Sequence, residues 1–246
     1  MDFENYIGWK HWESKRFSQV SPGNDFYFSQ ILNNKVLSKK RSKVLEVGFG
    51  NGELLGYLRK RSHDVVGVEI NDNLVERANK AGYKSFAGLV WEIEELQFTK
   101  FDLIVAFDVA EHLSYQELNK LFSWVSNHLN NGGKLMLRFP EGASPFGLAN
   151  QNGDFTHINS LTKGKIEALC APYNMELRYY FDDLLTSNKL SSYGIASRAV
   201  LLLLQGYANL VKWLLKIVFY PITRSAISFA TNSIVVITIS RTIDDV

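Results

Sequence analysis

The stretch VLEVGFGNG, residues 44–52, joins a short apolar run to three closely spaced glycines. The apolar run predicts a buried β-strand, and Gly48, Gly50 and Gly52 fall where that strand would turn into a helix. Glycine tolerates a positive φ and lets the backbone approach a ligand closely, because it has no Cβ. This stretch therefore predicts a strand, a tight loop and a helix that together hold a nucleotide-like ligand.

The glycine spacing and two acidic residues, Glu46 and Glu69, narrow the kinds of ligand that this loop could bind. A dinucleotide-binding loop has the spacing G-x-G-x-x-G and holds a pyrophosphate at the helix N-terminus. Here the third glycine comes one residue early, and Glu46 adds a negative charge that would repel pyrophosphate but suit a cation. Glu69 ends the next predicted strand, where a carboxylate can accept hydrogen bonds from both ribose hydroxyls. Ile70 would then lie against the adenine ring; the alternative for Glu69 is a solvated strand end.

Outward from this loop, short apolar runs alternate with segments of helical period. This pattern predicts an α/β fold with a doubly wound, mostly parallel sheet of seven strands. The strands are expected at Val44 to Gly48, Val65 to Glu69, Lys84 to Ala87, Leu103 to Phe107, Lys134 to Phe139, Glu176 to Phe181 and Ser233 to Ser240. The last of them, SIVVITIS, is apolar on both faces and should therefore lie inside the sheet.

The composition of the chain limits the partners that it could bind and the cellular compartment in which it is expected. Lys and Arg number 27 against 25 for Asp and Glu, and no arginine-rich run is present, so we do not expect a nucleic-acid partner. The single cysteine, Cys170, excludes an internal disulfide and lacks the companions of a zinc site. The first residues do not have the pattern of a signal peptide, so we expect a cytoplasmic protein.

The loop resembles the class I S-adenosylmethionine-dependent methyltransferase superfamily. The shared motif is E-x-G-x-G-x-G, which here spans residues 46–52 and includes Phe49, followed by the acid after the second strand. FDLIVAFDVAEHL, residues 101–113, is similar to that family's fourth strand and the turn after it. The resemblance implies a Rossmann-like methyltransferase fold, S-adenosylmethionine as cofactor, and Phe107 and Asp108 beside its methionine half. Many relatives have an aspartate after the third strand, but this chain has FAGLVWE there.

The segment RFPEGASPFGLANQNGDFTHINSL, residues 138–161, follows the fifth predicted strand. Ligands of open α/β sheets bind beyond the carboxyl ends of the strands, so this polar loop is the expected substrate wall, with Arg138, Gln151 and Thr156 as candidate contacts. The segment also resembles a subset of bacterial methyltransferases encoded with capsule and O-antigen synthesis genes. That resemblance implies a carbohydrate or a lipid-linked carbohydrate as the methyl acceptor.

Methyl transfer to a hydroxyl needs a group that removes the proton, and histidine suits that role near neutral pH. Our hypothesis is that His157 is the base and that Asp154 orients it. His112 is the second candidate, although a capping or packing role at a helix start fits it as well. Glu111 and His112, together with Asp154 and His157, could alternatively form a metal cluster. Methyl transfer does not require that metal, and we expect none.

Two regions lie outside the alternating pattern. Residues 1–40 are rich in aromatics and predict an N-terminal helical cap, with core packing as the alternative. Residues 195–230 predict an amphipathic helical insertion in a catalytic domain formed by 41–194 and 231–246. Within it, 195–222 carries one narrow polar stripe. This stripe fits a helix lying on the inner face of a membrane, and equally one buried against the domain or a partner in an oligomer.

Other functions stay open at this stage. A lipid or quinone-like acceptor would suit the amphipathic segment. A non-catalytic regulatory subunit that binds S-adenosylmethionine is a second alternative. The intact glycine loop disfavours a protein that has lost its active site. A nicotinamide-dependent dehydrogenase is disfavoured by the glycine spacing.

Overall fold

The computed structural model describes residues 16–32, 36, 37, 40–183, 228 and 230–240, with 203, 206, 207, 209–211, 213–215, 217 and 218. The first fifteen residues of the predicted cap and most of the predicted insertion at 195–230 lie outside the described residues. In the described part of the chain, no helix is both long enough and apolar enough to cross a bilayer.

Seven strands form one sheet within the described residues. They are β1 Lys43–Val47, β2 Asp64–Glu69, β3 Lys84–Ala87, β4 Phe101–Phe107, β5 Leu129–Pro140, β6 Met175–Asp182 and β7 Asn232–Ile239. Their order across the sheet is β3-β2-β1-β4-β5-β7-β6, and β7 alone runs antiparallel to its neighbours β5 and β6. The prediction of a doubly wound, mostly parallel seven-stranded sheet is confirmed, and so is the interior position of the last strand.

The helices connect the strands and cover the sheet. Their bounds are α1 Pro22–Ile31, α2 Glu53–Lys60, α3 Asp72–Lys80, α4 Tyr115–His128, α5 Leu148–Asn152 and α6 Lys163–Cys170. Side-chain caps fix several starts; in α3 the Asn71 side chain accepts a hydrogen bond from the Leu74 amide at 3.2 Å. Strand β5 begins five residues before the predicted Lys134, because α4 ends at His128 and the chain becomes extended at once.

Alternation along the strands builds a core on each face of the sheet. In β1, Leu45 belongs to one buried cluster and its neighbour Val44 belongs to the other, because successive side chains of a strand point to opposite faces. Tyr27 and Phe28 of α1 are buried in the same cluster as Val44. Both faces are therefore covered, and α1 packs against the sheet rather than standing apart from it.

The parallel strands bring four chain segments to one edge. Because β1, β2, β4 and β5 run in the same direction, the residues that follow them meet at their carboxyl ends. These segments are the glycine loop after β1, Glu69 and Ile70 at the end of β2, the turn after β4, and the loop after β5. The sheet thus gathers the candidate cofactor and substrate residues along one edge.

Helix α4 leads away from the turn after β4 and starts with a capping box. The Ser114 hydroxyl accepts a hydrogen bond from the Glu117 amide at 3.3 Å, and the Glu117 carboxylate accepts one from the Ser114 amide at 2.8 Å. Ser114→Ala should lower the free energy of unfolding by about 1 kcal/mol, because the amide at the helix start loses its partner. Denaturant titration checks this, with Ser126→Ala inside the same helix as the control. Equal midpoints for the two variants would contradict the prediction.

Candidate active site

The three glycines of the loop all take backbone conformations that favour glycine. Gly48, Gly50 and Gly52 have φ values of 72°, 51° and 73°. A Cβ on Gly48 would lie 2.4 Å from Cγ2 of Val109, and one on Gly52 would lie 2.4 Å from the ring of Phe17. The loop therefore has the tight form that the sequence predicts, and the side chains of Val109 and Phe17 occupy the space that a Cβ would need.

Glu69 ties this loop to the end of β2. Its Oε2 accepts a hydrogen bond from the Gly50 amide at 3.0 Å, while Oε1 accepts from the amides of Ile70 at 2.9 Å and Asn71 at 3.3 Å. Burial raises the pKa of Glu69, and these three amides oppose that rise. A carboxylate offers about four lone-pair sites and three are used, so about one is left, on Oε2, for a ribose hydroxyl. Glu69 is a fixed part of the loop and not a solvated strand end.

Glu46 places a second buried carboxyl group beside the first. It is 6% exposed, and its Oε2 has no hydrogen-bond partner among the described residues. Burial raises the pKa of Glu46 well above its usual range, and the charge of Glu69 adds to the effect. A buried carboxyl group of this kind gains from a positively charged ligand more than an exposed one does.

Phe49 and Ile70, which were also predicted as cofactor contacts, differ in how exposed their side chains are. The Phe49 ring is 4% exposed and packs edge-on against Phe17 with the ring centroids 6.0 Å apart. Its side chain thus belongs to the core, and only its backbone faces the loop interior. Ile70 is 49% exposed, so its side chain is available for the predicted adenine contact. That contact stays a prediction.

Asp108 and Arg138 form an ion pair where β4 and β5 end. The Arg138 Nε donates to Asp108 Oδ1 at 3.0 Å, and its Nη2 donates to the other carboxylate oxygen. Asp108 has a φ of 55°, an uncommon conformation for a residue other than glycine. The Arg138 guanidinium also lies 5.2 Å from the centroid of the Phe107 ring. Arg138, predicted as a substrate contact, thus holds the turn that carries Phe107 and Asp108.

Arg138 also belongs to a hydrogen-bond chain through Tyr27 and Asp183 that the sequence did not predict. Its Nη1 donates to the Tyr27 hydroxyl at 3.1 Å, and that hydroxyl donates to Asp183 Oδ2 at 2.9 Å. Tyr27 appears in the sequence as one of many N-terminal aromatics, and Asp183 is the second of two adjacent aspartates at the end of β6, so neither stands out by spacing. The network links α1, the end of β4 and the end of β6.

The segment 138–161, predicted to contact the substrate and called the substrate loop below, folds back onto the turn after β4. The amides of Ile158 and Asn159 both donate to the Glu111 carbonyl at 3.0 Å. The His112 Nδ1 lies 2.9 Å from the Thr156 hydroxyl and 3.2 Å from the Thr156 carbonyl oxygen. Two segments about forty-five residues apart in the chain are thus joined into one wall.

His157 lies in the middle of this wall. Its side chain is 9% exposed, and its Nδ1 lies 3.1 Å from the Gln151 carbonyl oxygen. Its Nε2 lies 3.9 Å from both Asp154 Oδ2 and Glu111 Oε1, beyond direct hydrogen bonding. The ring is therefore oriented by the Gln151 carbonyl, whereas the sequence hypothesis gave that role to Asp154. The His112 and His157 ring centroids are 4.6 Å apart.

Asp154 faces Thr156 more closely than it faces the histidines. Its Oδ1 accepts hydrogen bonds from the Thr156 amide at 2.9 Å and from the Thr156 hydroxyl at 2.5 Å. Burial acts to raise the pKa of Asp154, but these two hydrogen bonds and the nearby imidazoles outweigh it and hold that pKa below its usual range. Asp154 is thus a carboxylate that fixes the loop beside His157.

Comparison with known proteins identifies the family. The sequence profile of the methyltransferase domain matches residues 18–180. The chain belongs to the methyltransferase domain family. The matched range contains the glycine loop, Glu69, the turn after β4 and the whole substrate loop. The match agrees with the methyltransferase that the loop motif implied.

Relatives and solved structures agree with this family. An uncharacterized methyltransferase of Staphylococcus carnosus is 24% identical over 134 residues, which cover 52% of this chain and 64% of the relative. One from Alkaliphilus oremlandii is 25% identical over 109 residues, 44% of this chain and 50% of the relative. The fold is that of an S-adenosylmethionine-dependent methyltransferase from Archaeoglobus fulgidus, with a TM-score of 0.60, 15% identity, and 87% and 93% of the two chains covered. The chain thus matches less than two thirds of either curated relative's length.

S-adenosylmethionine, the cofactor of this domain, fits the residues present. A ribose hydroxyl suits the remaining acceptor site of Glu69, and a positive charge on the cofactor suits the Glu46 carboxyl oxygen that lacks a partner among the described residues. The buried Glu46 carboxyl group favours this positively charged cofactor over a dinucleotide, whose pyrophosphate is negatively charged.

The buried Glu46 should make stability depend on pH. Its pKa is raised in the folded state, so the folded protein keeps the proton that the unfolded chain loses above the ordinary glutamate value of 4.5. Stability contributed by this group is present below pH 4.5 and is lost as the pH rises. Glu46→Gln should therefore be more stable than the unchanged protein at pH 7 without cofactor, and equal to it near pH 4.

Thermal melts over this pH range, without cofactor, measure the effect. Glu95→Gln, which removes an exposed carboxylate, is the control and should show no pH-dependent gain. A Glu46→Gln variant that is less stable than the unchanged protein at pH 7 would contradict the account of Glu46.

Proposed function

We propose that this protein transfers a methyl group from S-adenosylmethionine to a hydroxyl oxygen of a carbohydrate. The acceptor would be a sugar of a surface polysaccharide or of its lipid-linked or nucleotide-linked precursor. The observation that carries the reaction type is the position of His157 in a buried wall at the same sheet edge as the glycine loop. The carbohydrate is suggested by the resemblance of residues 138–161 to capsule and O-antigen methyltransferases.

His157 has the hydrogen-bonding state that a base needs. The Gln151 carbonyl accepts a hydrogen bond from Nδ1, so the ring proton sits on Nδ1 and the lone pair stays on Nε2. Nε2 can then take the hydroxyl proton of the acceptor as the methyl group arrives. The carboxylates of Asp154 and Glu111, each 3.9 Å from Nε2, stabilise the imidazolium that results.

When bound, S-adenosylmethionine supplies a methyl group on a positively charged sulfur. The chain's part is to hold the acceptor oxygen in line with that methyl group and to exclude competing water. The Arg138 pair with Asp108 fixes the turn beside Phe107, and Thr156 fixes the loop beside His112. These contacts keep the two sides of the site at a constant separation.

The rim of the substrate loop offers apolar surface for an acceptor. Phe146 is 51% exposed, Phe155 is 93% exposed and Ile158 is 61% exposed. Exposed apolar side chains grouped on one loop are typical of a binding surface. They suit the C–H faces of a sugar ring and also the alternative of a lipid or quinone-like acceptor. The polar side chains of the loop favour the sugar.

Replacing the base tests this assignment. His157→Gln keeps the size and polarity of the side chain but cannot accept the proton, so turnover should fall by at least ~100-fold while cofactor affinity is unchanged. The assay is methyl transfer from labelled cofactor into sugar-nucleotide and lipid-linked glycan pools, followed by identification of the labelled product. His63→Gln, at the opposite edge of the sheet, is the matched control. Near-normal turnover in the His157 variant would remove His157 from the mechanism, and label in a lipid alone would replace the carbohydrate.

We also propose that the segment 195–222 contacts an anionic membrane surface from the cytoplasmic side. Its described residues expose large apolar side chains, with Leu203 74% exposed, Trp213 55% and Ile217 51%. Lysines at 212 and 216 lie among these residues in the sequence and suit anionic headgroups. A lipid-linked acceptor would be reached from such a surface.

Flotation with liposomes tests the membrane contact. The full chain should float with vesicles that contain anionic phosphatidylglycerol, and the double variant Trp213→Asp with Ile217→Asp should stay at the bottom, because charge on the apolar face opposes insertion. Phe98→Asp, which alters an aromatic side chain that is 92% exposed elsewhere, should float normally. Equal flotation of all three proteins, or association of the chain with itself in place of vesicles, would contradict the proposal.

A further inference from the structure

Three potential metal ligands converge where the substrate loop meets the turn after β4. Glu111, His112 and His157 each offer a ligand atom, and these atoms all lie within 4.8 Å of one another. Asp154 is adjacent, with Oδ2 3.9 Å from the His157 Nε2. Glu111 is only 1% exposed. The methyltransferase reaction proposed above uses Glu111 only to stabilise the protonated form of His157.

The separations within this cluster suit a shared ion better than direct hydrogen bonds. The His157 Nε2 lies 3.9 Å from oxygens of both Glu111 and Asp154, which is too far for a hydrogen bond. Two ligand atoms that each lie about 2.0–2.2 Å from one ion can be up to ~4.4 Å apart. The ligand atoms of Glu111, His112 and His157 all lie within 4.8 Å of one another, so small side-chain rotations bring them onto one ion.

Both imidazoles are held in the manner of metal-binding histidines. The His112 Nδ1 is engaged by Thr156, and the His157 Nδ1 is engaged by the carbonyl oxygen of Gln151. A histidine that ligates a metal usually donates its other ring nitrogen to a carbonyl or carboxylate, which fixes the ring and its tautomer. In both residues this leaves Nε2 as the ligand atom. The supporting contacts are therefore in place on both sides of the cluster.

We propose that Glu111, His112 and His157 bind a divalent transition-metal ion, with the Asp154 carboxylate beside the site. Two imidazoles and one carboxylate favour Mn²⁺, Fe²⁺, Co²⁺ or Zn²⁺ over Ca²⁺ and Mg²⁺, which prefer oxygen ligands. Three protein ligands leave positions open for an exogenous oxygen. The role of the ion rests on the proposed function: the acceptor hydroxyl occupies an open position.

The bound ion changes how the acceptor loses its proton. His157 Nε2 is then committed to the metal, and coordination lowers the pKa of the acceptor hydroxyl so that a carboxylate suffices as base. The proton passes to Asp154, the acceptor oxygen forms a bond to the methyl carbon, and the sulfur–methyl bond breaks with its electron pair left on sulfur. The sulfonium becomes a neutral thioether, and no oxidant or reductant is needed.

Cobalt binding to the full-length protein tests the site without any acceptor. Titration with CoCl₂, followed by the visible absorption of Co²⁺, should saturate at one ion per chain. Glu111→Gln and His157→Gln should each weaken Co²⁺ binding by at least ~10-fold, since loss of even a supporting contact costs that much. His63→Gln is the matched control and should bind as the unchanged protein does. Retained binding of S-adenosylmethionine by each variant shows that it has folded.

The outcomes separate this inference from the proposed function. A protein that shows no saturable Co²⁺ absorption, or variants that bind Co²⁺ as tightly as the unchanged protein, would overturn the metal site and leave His157 as the base. Saturable binding that the ligand variants lose supports the site even if no glycan is methylated. Methyl transfer should also stop after chelation and return with Mn²⁺ or Co²⁺. Full activity in chelated protein would overturn the catalytic role of the ion.

Discussion

The hydrogen bond from the Gly50 amide to Glu69 joins the first two strands at the point where the cofactor site begins. β1 must turn sharply after Val47, and three glycines make that turn possible because each takes a positive φ. Glu69 then fixes the turn from the neighbouring strand, so the loop is shaped before any ligand arrives. Preorganisation of this kind lowers the entropy cost of binding.

The same sheet edge sets the chemistry on the acceptor side. The turn after β4 and the loop after β5 belong to adjacent parallel strands, so their distance is set by strand pairing. The Glu111 carbonyl holds the amides of Ile158 and Asn159, and Thr156 holds His112. The cofactor loop, the Arg138 network and the histidine wall are therefore parts of one rigid edge. Without a metal ion in the cluster of Glu111, His112 and His157, the proton of the acceptor hydroxyl goes to His157. With the ion bound, it goes to Asp154.

Much of the fold follows from local sequence. The period-two and helical patterns predict all seven strands. The stretch SIVVITIS is apolar on both faces, which predicts an interior strand, and it lies between β5 and β6 with its central residues buried. The glycine spacing predicts the loop, since few residues other than glycine accept those φ values. The start of β5 was misplaced, because Leu129 continues the apolar pattern of α4 but pairs with Phe101 of β4.

The substrate side depends on contacts that sequence spacing does not reveal. Phe49 sits within the cofactor motif, yet its ring packs into the core, because the side chain after Gly48 points away from the loop. His157 is oriented by the backbone carbonyl of Gln151 and not by Asp154. Because every residue has a backbone carbonyl, the sequence does not single out this contact. The convergence of Glu111 on His157 arises from a fold-back over about forty-five residues, and the pattern only allowed it as an alternative.

The central claim is that the glycine loop and Glu69 form a site for S-adenosylmethionine, and calorimetric titration of the full-length protein tests it most directly. S-adenosylmethionine and its demethylated product should bind at one site per chain with micromolar affinity, NAD should not bind, and Glu69→Ala should abolish the binding heat while the protein stays folded. Binding of NAD in place of S-adenosylmethionine, or cofactor affinity unchanged in the Glu69 variant, would contradict the account.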